Sequence, residues 1–370
     1  MIGRIENLEC KISFTHSFIH SFKHYLCGME TRTELSTIGE FGLINLIKAK
    51  FPINNIETLK GIGDDAAVID TAGKELVVST DLLLEGIHFD LSYSPLKLLG
   101  YKSVAVNVSD IAAMNAIPKQ ITVSLGLSNR VSVEAIEELY EGIKAACDEY
   151  KVDLVGGDTA ASRSGLVISV TALGLAEKQN IVYRNTAKAN DIVCVSGDLG
   201  AALMGLQVLE REKQVFLSNP DMQPQLDKDK DYVIERQLKP RARMDVIYEL
   251  RDLGIIPTSM IDISDGLASE LLHLSKNSGV NAVIFEEKIP IDDQTYLVAT
   301  ELNFSPMTAA LNGGEDYELL FTVKQDDYEK VKNMNDINII GYMTNDVQES
   351  SMMMKSGTMV KITAPGYEHF

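Results

Sequence analysis

The chain has 370 residues, of which 45% are apolar and 24% charged, and its formal net charge is −19. This length suits two globular domains of ordinary size. The negative charge argues against a nucleic-acid binder, which would carry a basic face, but it leaves nucleotide substrates open because bound cations reverse the local sign. The four cysteines lack CxxC spacing, which indicates free thiols in a reducing compartment, and no apolar run approaches the ~18 residues that would suggest a membrane span.

The first 28 residues differ from the rest of the chain. They contain His16, His20 and His24, three of the six histidines. An i, i+4 spacing would put these imidazoles on one helical face, where they could bind a metal. The alternative is an unstructured leader, or sequence upstream of a true start at Met29. We expect the second and assign residues 1–30 to such a segment.

Hydrophobic periodicity predicts regular elements from residue 34 onward. A strand at 76–79 is expected to end at Thr80-Asp81, and a strand at 152–155 to stop before Asp158. Ser132 is the expected N-cap of a helix to residue 150. The other elements predicted in this half are a helix over 38–49, a long buried helix over 95–116, and strands over 121–127 and 166–175.

The second half repeats this alternation. The predicted elements are strands over 191–195, 261–263 and 318–323, helices over 201–209 and 267–274, and an irregular polar excursion over 210–231. The pattern predicts an α+β (mixed α/β) protein of two domains, residues 31–176 and 177–370, with the boundary between 176 and 190.

Six short acidic motifs stand out, most of them where an apolar run breaks. They are Gly63-Asp64-Asp65, Ser79-Thr80-Asp81, Asn107-Val108-Ser109-Asp110, Gly156-Gly157-Asp158-Thr159, Asp262-Ile263-Ser264-Asp265-Gly266 and Gly313-Gly314-Glu315-Asp316. Crowded carboxylates repel one another and are costly to desolvate unless they are paired or metal-bound. A cage for several Mg²⁺-like cations is therefore predicted from Asp65, Asp81, Asp110, Asp158, Asp262 and Asp265. Any one of these aspartates alone also fits a turn or a helix cap.

Phosphoryl transfer suits these residues better than other chemistry. The chain has no P-loop, kinase catalytic loop or Gly-x-Ser-x-Gly elbow, and few histidines lie in its main body. Phosphoryl transfer needs mainly positioning and cations that neutralise charge. Arg184 either clamps a phosphate or forms a surface ion pair, and the stretch 197–205 is a weak candidate for a helix N-terminus at an anion.

Taken together, the motifs resemble the thiamine-monophosphate kinase family, within the superfamily of aminoimidazole ribonucleotide synthetase and selenophosphate synthetase. The matching segments run in family order from about residue 34 to the last. They are residues 61–67, 79–89, 101–114, 156–159, 261–267, 313–322 and 366–370.

The resemblance implies ATP-dependent phosphorylation of thiamine monophosphate to thiamine diphosphate, by direct in-line transfer with several Mg²⁺ ions. It implies metal ligands at Asp65, Ser79, Thr80, Asp81, Asp110, Asp158, Asp262 and Asp265. It implies an ATP site at Gly157, Asp158, Arg184 and Ser264. It implies a substrate site at His88, Glu315 and Tyr367, in which Glu315 faces the cationic substrate. Catalysis would depend on Asp110, Asp158 and Asp265, through metal and phosphate positioning.

The resemblance further implies a cytoplasmic homodimer that binds neither nucleic acid nor membrane. Its N-terminal sheets would join into a barrel-like dimer interface, and its C-terminal domain would be an α/β sandwich. Three alternatives stay open: another ATP-using member of the superfamily, a non-catalytic Mg-nucleotide sensor, and a metal-dependent phosphohydrolase. Selenophosphate synthetase is less well matched, because no cysteine here lies in the Gly-rich N-terminal segment that carries its reactive residue.

Overall fold

The computed structural model describes residues 33, 35–60, 68–128, 130–219 and 228–364. The predicted leader, the first acidic motif with Asp65, and Tyr367 lie outside the described residues. Within the described ranges, no helix combines the length and apolar character needed to cross a membrane.

The first unit is an open four-stranded sheet covered by two long helices. Its elements are α1 (Leu35–Lys50), β1 (Thr58–Lys60), β2 (Val68–Ile69), β3 (Glu75–Leu84), α2 (Leu96–Ala113), β4 (Ile117–Leu127), α3 (Val133–Tyr150), β5 (Asp153–Ala161) and β6 (Val167–Ala176). The strand order of the sheet is β3-β6-β4-β5, and only β4 and β5 run parallel. Helix α2 packs across the sheet and α3 packs on α2.

Two glycines allow α2 and α3 to cross closely. A Cβ on Gly100 would lie 2.0 Å from the carbonyl oxygen of Leu139, and one on Gly142 would lie 1.8 Å from that of Lys97. Any side chain at either position would push the helices apart. Ser132 caps α3 as predicted, because its Oγ accepts a hydrogen bond from the backbone N–H of Ala135 at 3.3 Å.

The second unit contains a seven-stranded sheet. Its strands are β7 (Ile192–Ser196), β8 (Ser259–Asp262), β9 (Asn281–Phe285), β10 (Leu319–Val323), β11 (Ile337–Thr344), β12 (Ser351–Met353) and β13 (Met359–Lys361). Their order is β13-β12-β9-β11-β7-β10-β8, antiparallel except between β9 and β12. Its helices are α4 (Ala201–Ser218), α5 (Asp231–Leu238), α6 (Met244–Asp252), α7 (Leu267–Ser278), α8 (Asp293–Glu301), α9 (Pro306–Asn312) and α10 (Tyr328–Val331).

Both faces of this second sheet are buried. Along β7, Cys194 belongs to the core shared with the first unit, whereas Val193 and Val195 belong to a second core that includes α7. This alternation follows from the two-residue period of a strand. The α+β class with two packed units is therefore confirmed, while the described residues contain no closed barrel.

Several predicted element ends are wrong, and three of them matter most. Strand β3 pairs with β6 as far as Leu84, so Asp81 lies inside the strand. Strand β5 pairs with β4 as far as Ala161, so Asp158 also lies inside a strand. Helix α4 continues to Ser218, through the first part of the segment predicted as irregular. In each case backbone hydrogen bonds extend the element past the point where its apolar run stops.

Candidate active site

Strand β3 and helix α2 form the first wall of the site. The Ser79 hydroxyl donates a hydrogen bond to the Asp110 carboxylate. The side-chain oxygen of Asn107 accepts a hydrogen bond from the backbone N–H of Asp81 at 3.0 Å. Asn107 and Asp110 are three residues apart on α2 and therefore both face β3, as the sequence spacing predicts.

The second sheet supplies Asp262 at the end of β8. The buried hydroxyl of Ser109 donates to Asp262 Oδ2 at 2.7 Å, across the boundary between the two units. Neighbouring residues of α2 thus contact both sheets, because Ser109 donates to Asp262 of β8 while Asp110 accepts from Ser79 of β3.

The three carboxylates oppose one another's ionisation. Burial raises the pKa of Asp262 to about 7, and the charges of Asp110 and Asp81 add to this effect. Burial also raises the pKa of Asp81 to about 6, with Asp110 as the second cause. For Asp110, burial raises the pKa, while the Ser79 hydrogen bond and the positive charge of Arg184 oppose the rise. Arg184 therefore lies within electrostatic reach of this cluster.

The turn after β8 lies against a strained segment that precedes β10. Glu315 and Tyr317 have φ angles of 69° and 52°, in the left-handed region that side chains rarely adopt. Their backbone N–H groups donate to the carbonyl oxygens of Ser264 at 2.8 Å and Ile263 at 2.9 Å. Such strain persists only where surrounding contacts enforce it, and it concentrates at functional sites.

The acidic turn is stabilised from helix α7. The backbone N–H of Asp265 donates to Glu270 Oε1 at 3.0 Å. Gly266 has a φ of 118°, and a Cβ there would lie 2.8 Å from the carbonyl oxygen of Leu311. Burial raises the pKa of Glu270 to about 8, opposed by the hydrogen bond from the Asp265 backbone.

A cavity of about 650 Å³ joins these segments. Apolar side chains from both units line it together with polar ones. The predicted site residues in its lining are Asp81, His88, Ser264, Asp265 and Glu315. The structure therefore brings two of the three predicted substrate residues to the same cavity as three of the predicted metal and ATP residues.

His88 is held in one tautomer by the main chain. Its Nδ1 accepts a hydrogen bond from the backbone N–H of Leu84 at 3.1 Å. In neutral imidazole the proton then resides on Nε2, which makes that nitrogen a donor.

Glu315 has protein partners at both carboxylate oxygens, which the sequence did not reveal. Oε1 lies 3.0 Å from Lys102 Nζ, and Oε2 accepts from Gln237 Nε2 at 2.6 Å. Lys102 and Gln237 also line the cavity. The sequence carries one signal of this contact: a lysine within the buried apolar stretch of α2, where a charged residue needs a partner.

Thr80, Gly157 and Asp158 are not brought to the cluster. Thr80 faces away from Ser79 and Asp81, because strand side chains alternate, and its hydroxyl donates to the carbonyl oxygen of Val170 at 3.1 Å. Asp158 is exposed on β5, the far edge of the sheet, about 14 Å from β3 at roughly 4.8 Å per strand. In the part of the chain that the structure describes, no three His, Cys, Asp or Glu side chains come close enough to hold one metal ion.

Comparison with known proteins agrees with this architecture. The N-terminal domain of the AIR synthase related protein family matches residues 63–176, and its C-terminal domain matches residues 188–353. A thiamine-monophosphate kinase from Aquifex aeolicus is 35% identical over 91% of this chain and 99% of its own length. One from Bacillus subtilis is 36% identical over 90% of this chain and 99% of its own length.

The solved structures include a similar one. A structure of AaThiL complexed with AMPPCP and TMP superimposes with a TM-score of 0.70 at 33% identity, covering 92% of this chain and all of that one. With the two sheets, the shared cavity and these relatives in view, the chain belongs to the thiamine-monophosphate kinase family of the AIR synthase related proteins.

Proposed function

We propose that the protein transfers the γ-phosphoryl group of ATP to thiamine monophosphate, forming thiamine diphosphate and ADP. The observation that carries this proposal is the cavity, which has His88 and Glu315 in its lining together with Asp81, Ser264 and Asp265. A substrate with a ring at one end and a phosphate at the other fits such a site. The names of the relatives, and the AMPPCP and TMP in the solved complex, support the same pair of substrates.

The carboxylates fit Mg²⁺ in kind. Asp81, Asp110 and Asp262 supply carboxylate oxygens, which are ligands that Mg²⁺ prefers. Their charges repel one another, and the positive charge of Arg184 offsets this in part at Asp110. A bound hard cation would relieve the remaining repulsion. Because no three described side chains of His, Cys, Asp or Glu converge on one point, we propose that these three aspartates are shared among several Mg²⁺ ions. The family resemblance implies that Asp265, Asp65, Ser79, Thr80 and Asp158 supply further ligands to these ions. When bound, Mg²⁺ neutralises the charge of the transferred phosphoryl group.

The side chains supply orientation in a direct in-line transfer. His88 donates from Nε2 to the phosphate of the acceptor, Ser264 and Arg184 hold the ATP phosphates, and Gly157 with Asp158 completes the ATP site. An oxygen of the acceptor phosphate forms the new P–O bond while the bond to the ADP oxygen breaks. A phosphate is already largely ionised at neutral pH, so the step requires no dedicated base.

We also propose a homodimer formed through the first sheet. The outer face of β3, an edge strand, exposes Leu76, Val78 and Leu82 at 45%, 57% and 52%. An apolar row on an unpaired edge strand favours association. The same face carries Thr80 and Asp158, which a barrel of two such sheets would enclose. The use of ATP favours a cytoplasmic enzyme, whose two domains we divide at residues 176–177.

The decisive experiment measures ADP release with Mg²⁺-ATP and, separately, thiamine monophosphate, thiamine or no acceptor. Chromatography identifies the product. Thiamine diphosphate formed only from the monophosphate supports the kinase. Equal ADP release in all three reactions would point to a phosphohydrolase, and no ADP to a nucleotide sensor or to another member of the superfamily. Asp110→Asn is the matched variant and should keep the fold but lose turnover.

A further inference from the structure

Lys102 is a buried cation in the wall of the cavity. It lies on α2 and is 4% exposed. Its Nζ is 3.0 Å from Glu315 Oε1 and donates to the backbone carbonyl oxygen of Gln237, also at 3.0 Å. An ammonium group removed from water requires a compensating charge, so Lys102 and Glu315 stabilise each other across the two units.

Gln237 holds the other oxygen of the Glu315 carboxylate. Its Nε2 donates to Glu315 Oε2 at 2.6 Å, and its side chain is also buried. The left-handed backbone of Glu315 is held by the carbonyl oxygen of Ser264. Three elements, α2, α5 and the turn after β8, therefore determine where this carboxylate points.

This arrangement changes what Glu315 can recognise. Lys102 compensates its charge, so a cationic ring gains little net attraction and meets a nearby ammonium group. Each carboxylate oxygen nevertheless has a second lone pair, so the group still accepts hydrogen bonds. A fixed, charge-compensated acceptor selects for a ligand N–H donor rather than for net positive charge.

We propose that Lys102 and Gln237 are positioning residues that hold Glu315 as the acceptor for the amino group of an aminopyrimidine ring. This inference rests on the proposed function and assigns the substrate's amino group, not its thiazolium charge, to Glu315. Lys102 lies about 12 Å along α2 from Asp110, at roughly 1.5 Å per residue. That spacing matches a substrate whose ring lies at Glu315 and whose phosphate reaches the aspartates.

The test is calorimetric binding of thiamine monophosphate and of its analogue in which a carbonyl replaces the pyrimidine amino group. Wild-type protein should bind the amino compound at least about tenfold more tightly, the usual effect of losing one hydrogen bond to a charged group. Lys102→Met should lower thiamine monophosphate affinity about tenfold or more and reduce this discrimination, while the KM for ATP stays within about twofold.

Matched variants separate positioning from general damage. Lys97→Met removes a lysine from the same helix that pairs with exposed Glu141, and it should leave both affinities unchanged. In a Glu315→Gln background, Lys102→Met should have little further effect, because its influence passes through Glu315. If Lys102→Met does not fold, Gln237→Met decides, with a smaller loss of the same discrimination expected.

Two results would overturn the inference. One is wild-type protein that binds both compounds equally; the other is Lys102→Met with unchanged affinity, or with an equal effect in the Glu315→Gln background. Failure of the proposed function differs from both, because wild-type protein would then bind neither compound.

Discussion

Replacing Asp262 with asparagine should stabilise the metal-free protein at high pH and not at low pH. Asp262 is 6% exposed, and burial raises its pKa to about 7 from an ordinary value of 3.8. The folded state therefore keeps this proton to higher pH than the unfolded state does. The resulting destabilisation grows as the pH rises from about 4 to about 7 and is constant above that range.

The size follows from the two pKa values. Relative to the unfolded chain, the raised pKa of Asp262 costs the folded state about 4 kcal/mol at pH 8 and about 1 to 2 kcal/mol at pH 5. An asparagine removes this pH dependence, although burying its amide takes back part of the gain. The variant should be more stable than wild type by about 2 kcal/mol at pH 8 and nearly equal to it at pH 5.

Urea unfolding with a chelator present, at pH 5 and pH 8, measures both values. Asp326→Asn is the control, since Asp326 is exposed, and it should change stability equally at the two pH values. The reasoning is refuted if Asp262→Asn shifts the free energy of unfolding by the same amount at pH 5 and pH 8. With Mg²⁺ added, wild-type protein should regain stability and Asp262→Asn should regain less.

Three further predictions concern the metal site, the helix crossing and the dimer. Ser109→Ala removes the donor to Asp262, so the Mg²⁺ concentration needed for half of the thermal stabilisation should rise about 10- to 100-fold; an unchanged midpoint would contradict this role. Gly142→Ala places a Cβ 1.8 Å from the carbonyl oxygen of Lys97 and should lower the free energy of unfolding in urea by about 3 kcal/mol or more; a loss within about 0.5 kcal/mol, typical of a surface substitution, would contradict the close crossing. Leu76→Glu should shift the mass measured by light scattering toward the monomer, whereas Leu297→Glu, on the exposed face of α8, should not; equal masses would argue against the sheet interface.

The sequence by itself determined the family and part of the secondary structure. Periodicity located α2 and α3, and Ser132 was recognisable as a cap because capping is a local interaction. The acidic motifs were recognisable as a set for the same reason. The ends of β3 and β5 were not, because pairing with β6 and β4 continues through polar residues that an apolar-run criterion treats as loop.

Only the tertiary structure decided which motif residues meet. Ser109 and Asp262 are 153 residues apart, and Gln237 and Glu315 are 78 apart, so no local pattern connects them. Strand alternation directs Asp81 inward and Thr80 outward from adjacent positions, and strand order puts Asp158 at the opposite edge of the sheet. A motif can be recognised from neighbouring residues along the chain, whereas the contact of Lys102 with Glu315 depends on how the two sheets pack against one buried helix.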